Sequence, residues 1–262
     1  MMKQKRLLNK FLPIVMLIVC SILGTTDAWA AKTYYAKLTV AVSSDSPSGC
    51  GTVYASDSNS AKSGEASASK STSTSGQAQT LYAYASANST EFTFLGWSSN
   101  QNGATSYDAN DAGKSYKTYN VSAATSNNGT NEQKVYAYFA RKIYAKATAG
   151  IDDNGTGKGT VCVSWTSTAS PSYATTSEVT YNEYGTKHTQ NSIQRDVYFY
   201  AQPGTNAASK AMIFQGWYDE SGNSISGNNP YSVSKHEFSG TTASEVGLAL
   251  YARFKDPDVV AT

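Results

Sequence analysis

Few residues in this chain have a type and spacing suited to catalysis. Its 262 residues include two histidines, His188 and His236, and both lie in polar segments, where we expect solvated side chains. A serine nucleophile needs a neighbouring base, and the chain has no G-x-S-x-G elbow to present such a serine. Two histidines and three cysteines without ligand spacing do not make a zinc site. The sequence therefore predicts no catalytic residue, no metal site and no cofactor.

Two loop segments partly match known ligand-binding motifs. Residues 150–160 are rich in glycine, but Thr156 stands where a phosphate loop requires lysine, so we interpret them as a hairpin turn. Asp152, Asn154 and Thr156 fit the first half of a calcium loop, whereas the twelfth position is Val163 rather than glutamate. Asn and Asp are frequent in turns for backbone reasons. We prefer the turn and keep calcium binding as the alternative.

The N-terminus predicts export. Four basic residues precede an apolar run of about 14 residues at 11–24, and Ala28-Trp29-Ala30 has the small-x-small pattern of a cleavage site. A spanning helix needs roughly 20 apolar residues, so this run is too short to be a membrane anchor. We predict a signal peptide over residues 1–30, no membrane span after processing, and a secreted or cell-surface protein.

Processing also changes the charge and the cysteine content. The whole chain has a net charge of +2, and the predicted signal peptide holds four basic residues and one acidic residue, which leaves the mature chain near −1. No basic patch remains, so we expect no nucleic-acid partner. Only Cys50 and Cys162 remain after cleavage. They allow one bridge or two free thiols, and we prefer two free thiols because they stand at different places in the sequence pattern.

The mature chain alternates with a period of two and has no apolar stripe of helical period. Residues 38–42 predict a half-buried strand, and we expect residues 51–55 to return as its hairpin partner. Residues 56–80 are almost all small and polar, which favours a long exposed loop. A weak strand candidate lies at residues 119–123. The predicted fold class is all-β, with mostly antiparallel strands.

One short motif occurs twice, each time between two apolar runs that contain tyrosine. It reads Phe94-Leu95-Gly96-Trp97 in the first half of the chain and Phe214-Gln215-Gly216-Trp217 in the second. A glycine inside a strand marks a bulge or the close approach of another group. We expect the Phe and Trp rings to pack together there, as core residues rather than as a binding site.

Further matches occur in the same order along the chain. Tyr35-Ala36-Lys37 returns as Tyr144-Ala145-Lys146, Gly51-Thr52-Val53 returns as Gly159-Thr160-Val161, and the closing run at 135–139 returns at 250–254. Collinear matches of this kind indicate one unit that occurs twice with different loop insertions. We predict a first repeat domain at 31–141, which includes the loop at 56–80, a second at 142–255, and a tail at 256–262.

This order of motifs resembles the internalin-B-type B repeats, also called Listeria–Bacteroides repeats. The resemblance covers most of residues 32–255, and the loops at 56–80 and 98–131 are longer than in that family. It implies small β-grasp-like modules on exported bacterial proteins, which act as spacers or in adhesion and host contact. We therefore expect a non-catalytic, monomeric protein whose partner is an unknown surface protein or a glycan.

A carbohydrate-binding module is the alternative interpretation. Tyrosines recur on one face of the predicted strands, and sugars stack on such rings; aromatic patches mark recognition surfaces. The candidate residues are Tyr82, Tyr84, Tyr136, Tyr138, Tyr198 and Tyr200. Cross-strand packing of the same rings is the competing explanation.

Overall fold

The computed structural model describes residues 31–60, 63–108, 116–152, 158–167 and 172–259. Every regular element in these ranges is a β-strand, so the predicted all-β class is confirmed. The predicted signal peptide at 1–30 lies outside the described residues. The strands are β1 (Tyr34–Val42), β2 (Gly51–Ser56), β3 (Ser67–Thr72), β4 (Ala78–Ala87), β5 (Phe92–Ser98), β6 (Tyr116–Ser122), β7 (Thr130–Ile151), β8 (Gly159–Ser164), β9 (Ser177–Tyr184), β10 (Ile193–Pro203), β11 (Ile213–Tyr218), β12 (Ser224–Ser226), β13 (Tyr231–Phe238) and β14 (Leu248–Lys255).

Internal contacts divide the chain into two compact units. The first unit contains the described residues within Met1–Val40, Tyr54–Tyr84 and Tyr116–Lys134. The second unit contains those within Ala41–Val53, Ala85–Ser115 and Val135–Thr262. The predicted repeat boundary near Arg141 falls inside β7, which is one continuous strand of 22 residues. The contacts thus group the residues differently from the sequence repeat.

In the first unit, β1 pairs with β3 rather than with β2. The antiparallel ladder runs from Tyr34 opposite Thr72 to Thr39 opposite Ser67. The expected β1–β2 hairpin is therefore wrong, because β2 belongs to a separate sheet in the order β2-β4-β6. Strand β6 includes residues 119–122 of the weak strand candidate at 119–123. Alternate residues of β1, such as Leu38, are fully buried, as the period of two predicts.

Strand β3 lies inside the segment for which we expected a loop. The loop prediction over 56–80 is wrong for Ser67–Thr72, and β4 begins before the segment ends. The prediction weighed only apolar side chains, whereas a strand is also held by its backbone hydrogen bonds. Here the ladder with β1 pairs the backbone groups of β3 that face β1, and Ala68 lies opposite Leu38. A polar composition is normal for a strand at the edge of a sheet.

The second unit is built around β7. The strand order β12-β11-β14-β7 forms one run of the sheet, while β5 and β9 also pair with β7. A three-stranded sheet has the order β13-β10-β8. Most pairs are antiparallel, but β14 runs parallel to β7, from Leu248 opposite Ala147 to Ala252 opposite Ile151. Inward side chains of both sheets form the core, and Val197, Phe199 and Phe254 are among those with no exposed surface.

The two F-x-G-W strands, β5 and β11, both lie in the second unit, and each pairs with its own partner strand in the same register. The partners are Phe94 with Phe139 and Gly96 with Tyr138 in β5–β7, and Phe214 with Phe254 and Gly216 with Arg253 in β11–β14. In each pair the register shifts by one residue between the Phe and the Gly. Gly96 has φ +142° and Gly216 has φ +141°, in a region that side chains disfavour. Both glycines therefore form the predicted bulge.

The group that approaches each bulge glycine is a backbone carbonyl, not an aromatic ring as we expected. A Cβ on Gly96 would lie 2.5 Å from the carbonyl oxygen of Asp108, and one on Gly216 would lie 2.8 Å from that of Ser226. The rings still pack together, with centroids 5.6 Å apart for Phe94 and Trp97. Replacing either glycine would therefore strain φ and push a neighbouring segment away.

The glycine that begins each Gly-Thr-Val motif lies beneath a phenylalanine ring. A Cβ on Gly51 would overlap the ring of Phe139, and a Cβ on Gly159 would overlap the ring of Phe254. Neither phenylalanine has exposed surface, so its ring has no free space to move into. The Gly-Thr-Val motif and the closing Tyr-containing strand are thus joined by direct contact.

We expect Gly159→Ala to lower the free energy of unfolding by about 1–3 kcal/mol, the usual cost of overpacking a core. Gly51→Ala should behave alike, because it meets the equivalent ring. Gly227→Ala is the matched control, since a Cβ there meets nothing within 4 Å. Urea unfolding of the three variants measures the difference. Equal stability of Gly159→Ala and Gly227→Ala would contradict the contact.

Candidate functional site

The tryptophans of the repeated motif are core residues. Trp97 is 1 % exposed and Trp217 is 0 % exposed. Phe214 meets Trp217 edge-on at 5.8 Å between ring centroids, as Phe94 meets Trp97. The indole N–H of Trp217 is buried without a hydrogen-bond partner among the described residues. The two tryptophans of the motif therefore present no ring face to a ligand.

The candidate tyrosines of the first unit pack against other tyrosines. The Tyr84 ring stacks on Tyr54 at 4.5 Å, and its hydroxyl donates to the carbonyl of Ser58 at 2.9 Å. The Tyr82 ring meets Tyr116 edge-on at 5.2 Å. Burial raises the pKa of the Tyr54 hydroxyl. Of the two candidate tyrosines in the first unit, Tyr84 is buried and Tyr82 is partly exposed.

The candidate tyrosines of the second unit differ in exposure. Tyr136, Tyr198 and Tyr200 are half-buried, as expected for a wetter strand face. The Tyr200 hydroxyl donates to the carbonyl of Ser167 at 2.9 Å. Tyr138 has no exposed surface, so it does not lie on an exposed strand face as a sugar-stacking residue would. The bulge at Gly96 lies opposite Tyr138 and coincides with this change of environment.

Tyr138 belongs to a buried polar cluster around His188. The expected solvated His188 is wrong, because its side chain is only 5 % exposed. Its ring lies 4.9 Å from that of Tyr138, its Nδ1 is in hydrogen-bond contact with the Tyr107 hydroxyl, and its Nε2 lies 3.6 Å from the carboxylate of Asp45. Burial raises the pKa of the Tyr107 hydroxyl. The sequence carries no periodic signal for His188, since the residues around it form a loop.

The polar groups of this cluster hold loops in place. The Asp45 carboxylate accepts a hydrogen bond from the backbone N–H of Gly103, and the Tyr138 hydroxyl donates to the carbonyl of Asn100 at 2.9 Å. Buried polar groups need such partners, because an unpaired one costs about 1–3 kcal/mol. These contacts therefore provide the buried His188 and its neighbours with polar partners.

The remaining candidate ligands are engaged or buried. Asp152, the first residue of the calcium motif, accepts hydrogen bonds from Nε and Nη2 of Arg253. The other residues of that motif up to Gly157 lie outside the described ranges. Cys50 and Cys162 are buried free thiols, and burial raises the pKa of both. Within the described residues no group of three or more His, Cys, Asp or Glu could hold a metal ion.

A groove that the sequence does not predict lies at one end of β10 in the second unit. It encloses about 530 Å³ and is lined by Trp165, Thr166, Gln194, Arg195, Asp196 and Lys235. The Arg195 guanidinium carbon lies 3.4 Å from the centroid of the Tyr181 ring, which fixes it in a cation–π contact. Arg195 lies on the same strand face as the buried Ile193 and Val197. A cation at an inward-facing position of a strand is the sequence feature that could have indicated this site.

No protein-family model, curated protein or solved structure matches this chain. The described residues establish the all-β fold class. None of the elements in these residues is a helix long and apolar enough to cross a membrane.

We expect Trp97→Ala to lower the free energy of unfolding by about 3–5 kcal/mol, because it empties a large buried site. Trp217→Ala should lie at the lower end of that range, since it also removes a buried unpaired donor. Ile213→Ala, in the same strand but 51 % exposed, is the control and should change stability by less than about 0.5 kcal/mol. Thermal and urea unfolding measure all three. Unchanged unfolding of both tryptophan variants would mean that these rings are not core.

Proposed function

We propose that this chain is a non-catalytic, exported bacterial protein of two β-repeats that serves as a spacer or an adhesion module at the cell surface. The observation that carries the proposal is the matched geometry of its two F-x-G-W strand pairs. They share the register, the bulge glycine at nearly the same φ, and a closing phenylalanine above a second glycine. Such agreement in several independent details supports one unit used twice, and repeated units are typical of extended proteins.

The parallel pair of β7 and β14 supports a load-bearing role. The predicted second repeat, residues 142–255, begins within β7 and ends with β14. The two strands are hydrogen-bonded neighbours over five residue pairs. Tension applied to the two ends pulls parallel neighbours past each other along the strand direction. All the hydrogen bonds between them then resist together, whereas antiparallel neighbours pulled from adjacent ends separate one bond at a time.

We expect single-molecule pulling to show this difference of direction. Handles at Lys142 and Lys255 load β7 against β14 lengthwise and should require a higher unfolding force than handles at Ile213 and Lys255. The second pair lies opposite in the antiparallel β11–β14 ladder, so pulling there opens it bond by bond. The same protein serves as its own control. Equal forces in both directions would contradict a load-bearing role.

Export is the other part of the proposal and has its own test. The protein recovered from the producing bacterium should begin at Ala31, because cleavage is predicted after Ala30. Antibodies against the mature chain should label intact cells or find the protein in the medium. N-terminal sequencing reads the first residue directly. A chain that retains residues 1–30 inside the cell would overturn the exported role.

Carbohydrate binding is the second candidate function. The observation that favours it is the partial exposure of Tyr82, Tyr136 and Tyr198 on strands. The other three candidates support it less, because Tyr84 and Tyr138 are buried and the Tyr200 hydroxyl is engaged by a loop. The two functions are compatible, since an adhesion module needs a surface that contacts its partner.

A further inference from the structure

We propose that the groove beside Arg195 binds an acidic sugar, whose carboxylate pairs with Arg195 and whose ring lies against Trp165. The proposal shares its ligand class with the second candidate function, but it places the site on other residues. The groove is formed entirely by residues of the second unit, from the end of β8, the start of β10 and the middle of β13.

Arg195 is a cation without an ion-pair partner in the part of the chain that the structure describes. Its Nε is buried and has no hydrogen-bond partner among the described residues, and it forms no ion pair with any of them. The side chain is only half-buried, so its guanidinium is still accessible from the groove. A partly desolvated, unpaired guanidinium is costly in the free protein. An anion that pairs with it offsets this cost, and a carboxylate matches the planar fork of the guanidinium.

The guanidinium is held in place before any ligand arrives. One face lies on the Tyr181 ring, and the Trp165 ring centroid lies 5.9 Å from the guanidinium carbon. Trp165 is itself fixed, because its indole N–H donates to the carbonyl of Thr180 at 3.2 Å and its ring meets Phe238 edge-on. Fixed groups lose little conformational freedom on binding, which favours affinity.

The acidic residue of the groove does not neutralise Arg195. The Asp196 carboxylate accepts hydrogen bonds from the backbone N–H of Lys235 at 2.8 Å and from the Ser234 hydroxyl at 3.2 Å. These bonds hold Lys235 at φ +50°, an uncommon conformation for a residue with a side chain. The Lys235 side chain is exposed at the groove. Two cations and one engaged carboxylate leave the groove with a local net charge of +1.

The rest of the lining suits a sugar rather than a peptide. Thr166 and Gln194 are exposed and offer a hydroxyl and an amide, which both donate and accept hydrogen bonds to sugar hydroxyls. Trp165 supplies an apolar ring beside them. A pocket with an aromatic wall and a few fixed polar groups is the usual form of a small-molecule site.

The test is calorimetric titration of the mature protein with oligogalacturonate, with its methyl ester as the uncharged analogue. The unmodified protein should bind the acid, and the ester should bind at least about tenfold more weakly, because it cannot form the charged pair. Arg195→Lys keeps the charge but loses the planar fork, so a loss of about tenfold or more is expected. Lys235→Asn removes a charge while asparagine tolerates the positive φ, and binding should weaken several-fold and depend less on salt.

Arg253→Lys is the matched control. Arg253 also lies over a tyrosine, with its guanidinium carbon 3.8 Å from the Tyr218 ring centroid, but it is already paired with Asp152. Its replacement should leave oligogalacturonate binding unchanged. Near-ultraviolet circular dichroism of each variant establishes that the fold is retained.

Four outcomes overturn the proposal: no binding of the acid, equal binding of the ester, equal binding by Arg195→Lys, or tighter binding of oligoglutamate than of oligogalacturonate. The last would mean that the ligand is an acidic peptide. Neutral glycans that bind the unmodified protein but not Tyr198→Ala would support the second candidate function, even where the groove binds nothing. Failure of the spacer role is read separately, from the pulling forces.

Discussion

The contact between a glycine and a phenylalanine ring is the constraint on which the second unit depends. Gly159 begins β8, in the three-stranded sheet, while Phe254 lies in β14, in the sheet built on β7. The ring can lie on the glycine backbone only because no Cβ intervenes. Since Phe254 is fully buried, this contact sets how closely the two sheets approach. The bulge at Gly216 then turns Trp217 into the same core.

Charged groups contribute less to this fold than the core does. Ion pairs such as Lys210 with Asp258 are exposed, and exposed pairs of this kind are worth at most about 1 kcal/mol. The buried polar cluster at His188 is different, because its partners satisfy groups that would otherwise be costly. Polar residues therefore fix the loops, while apolar and aromatic residues hold the sheets together.

Two arginines show how similar surroundings support different roles. Arg253 and Arg195 each lie over a tyrosine ring, but Arg253 is neutralised by Asp152, whereas Arg195 forms no ion pair with any of the described residues. The first strengthens the junction of β7 and β14, where the proposed spacer bears tension. The second leaves an uncompensated charge beside an aromatic groove. The difference lies in the neighbouring strand, and a local sequence window cannot show it.

The sequence by itself determined the all-β class, the main strands, the bulge glycines and the core position of Trp97 and Trp217, because all of these follow from period-two alternation and glycine chemistry. It did not determine β3, the partner of β1, or the burial of Tyr138 and His188. Those depend on which backbone segments become neighbours, and strand pairing relies on backbone hydrogen bonds that every residue type except proline can donate. Only the tertiary structure could therefore bring together Trp165, Tyr181 and Arg195, because Trp165 follows β8, Tyr181 lies in β9 and Arg195 lies in β10.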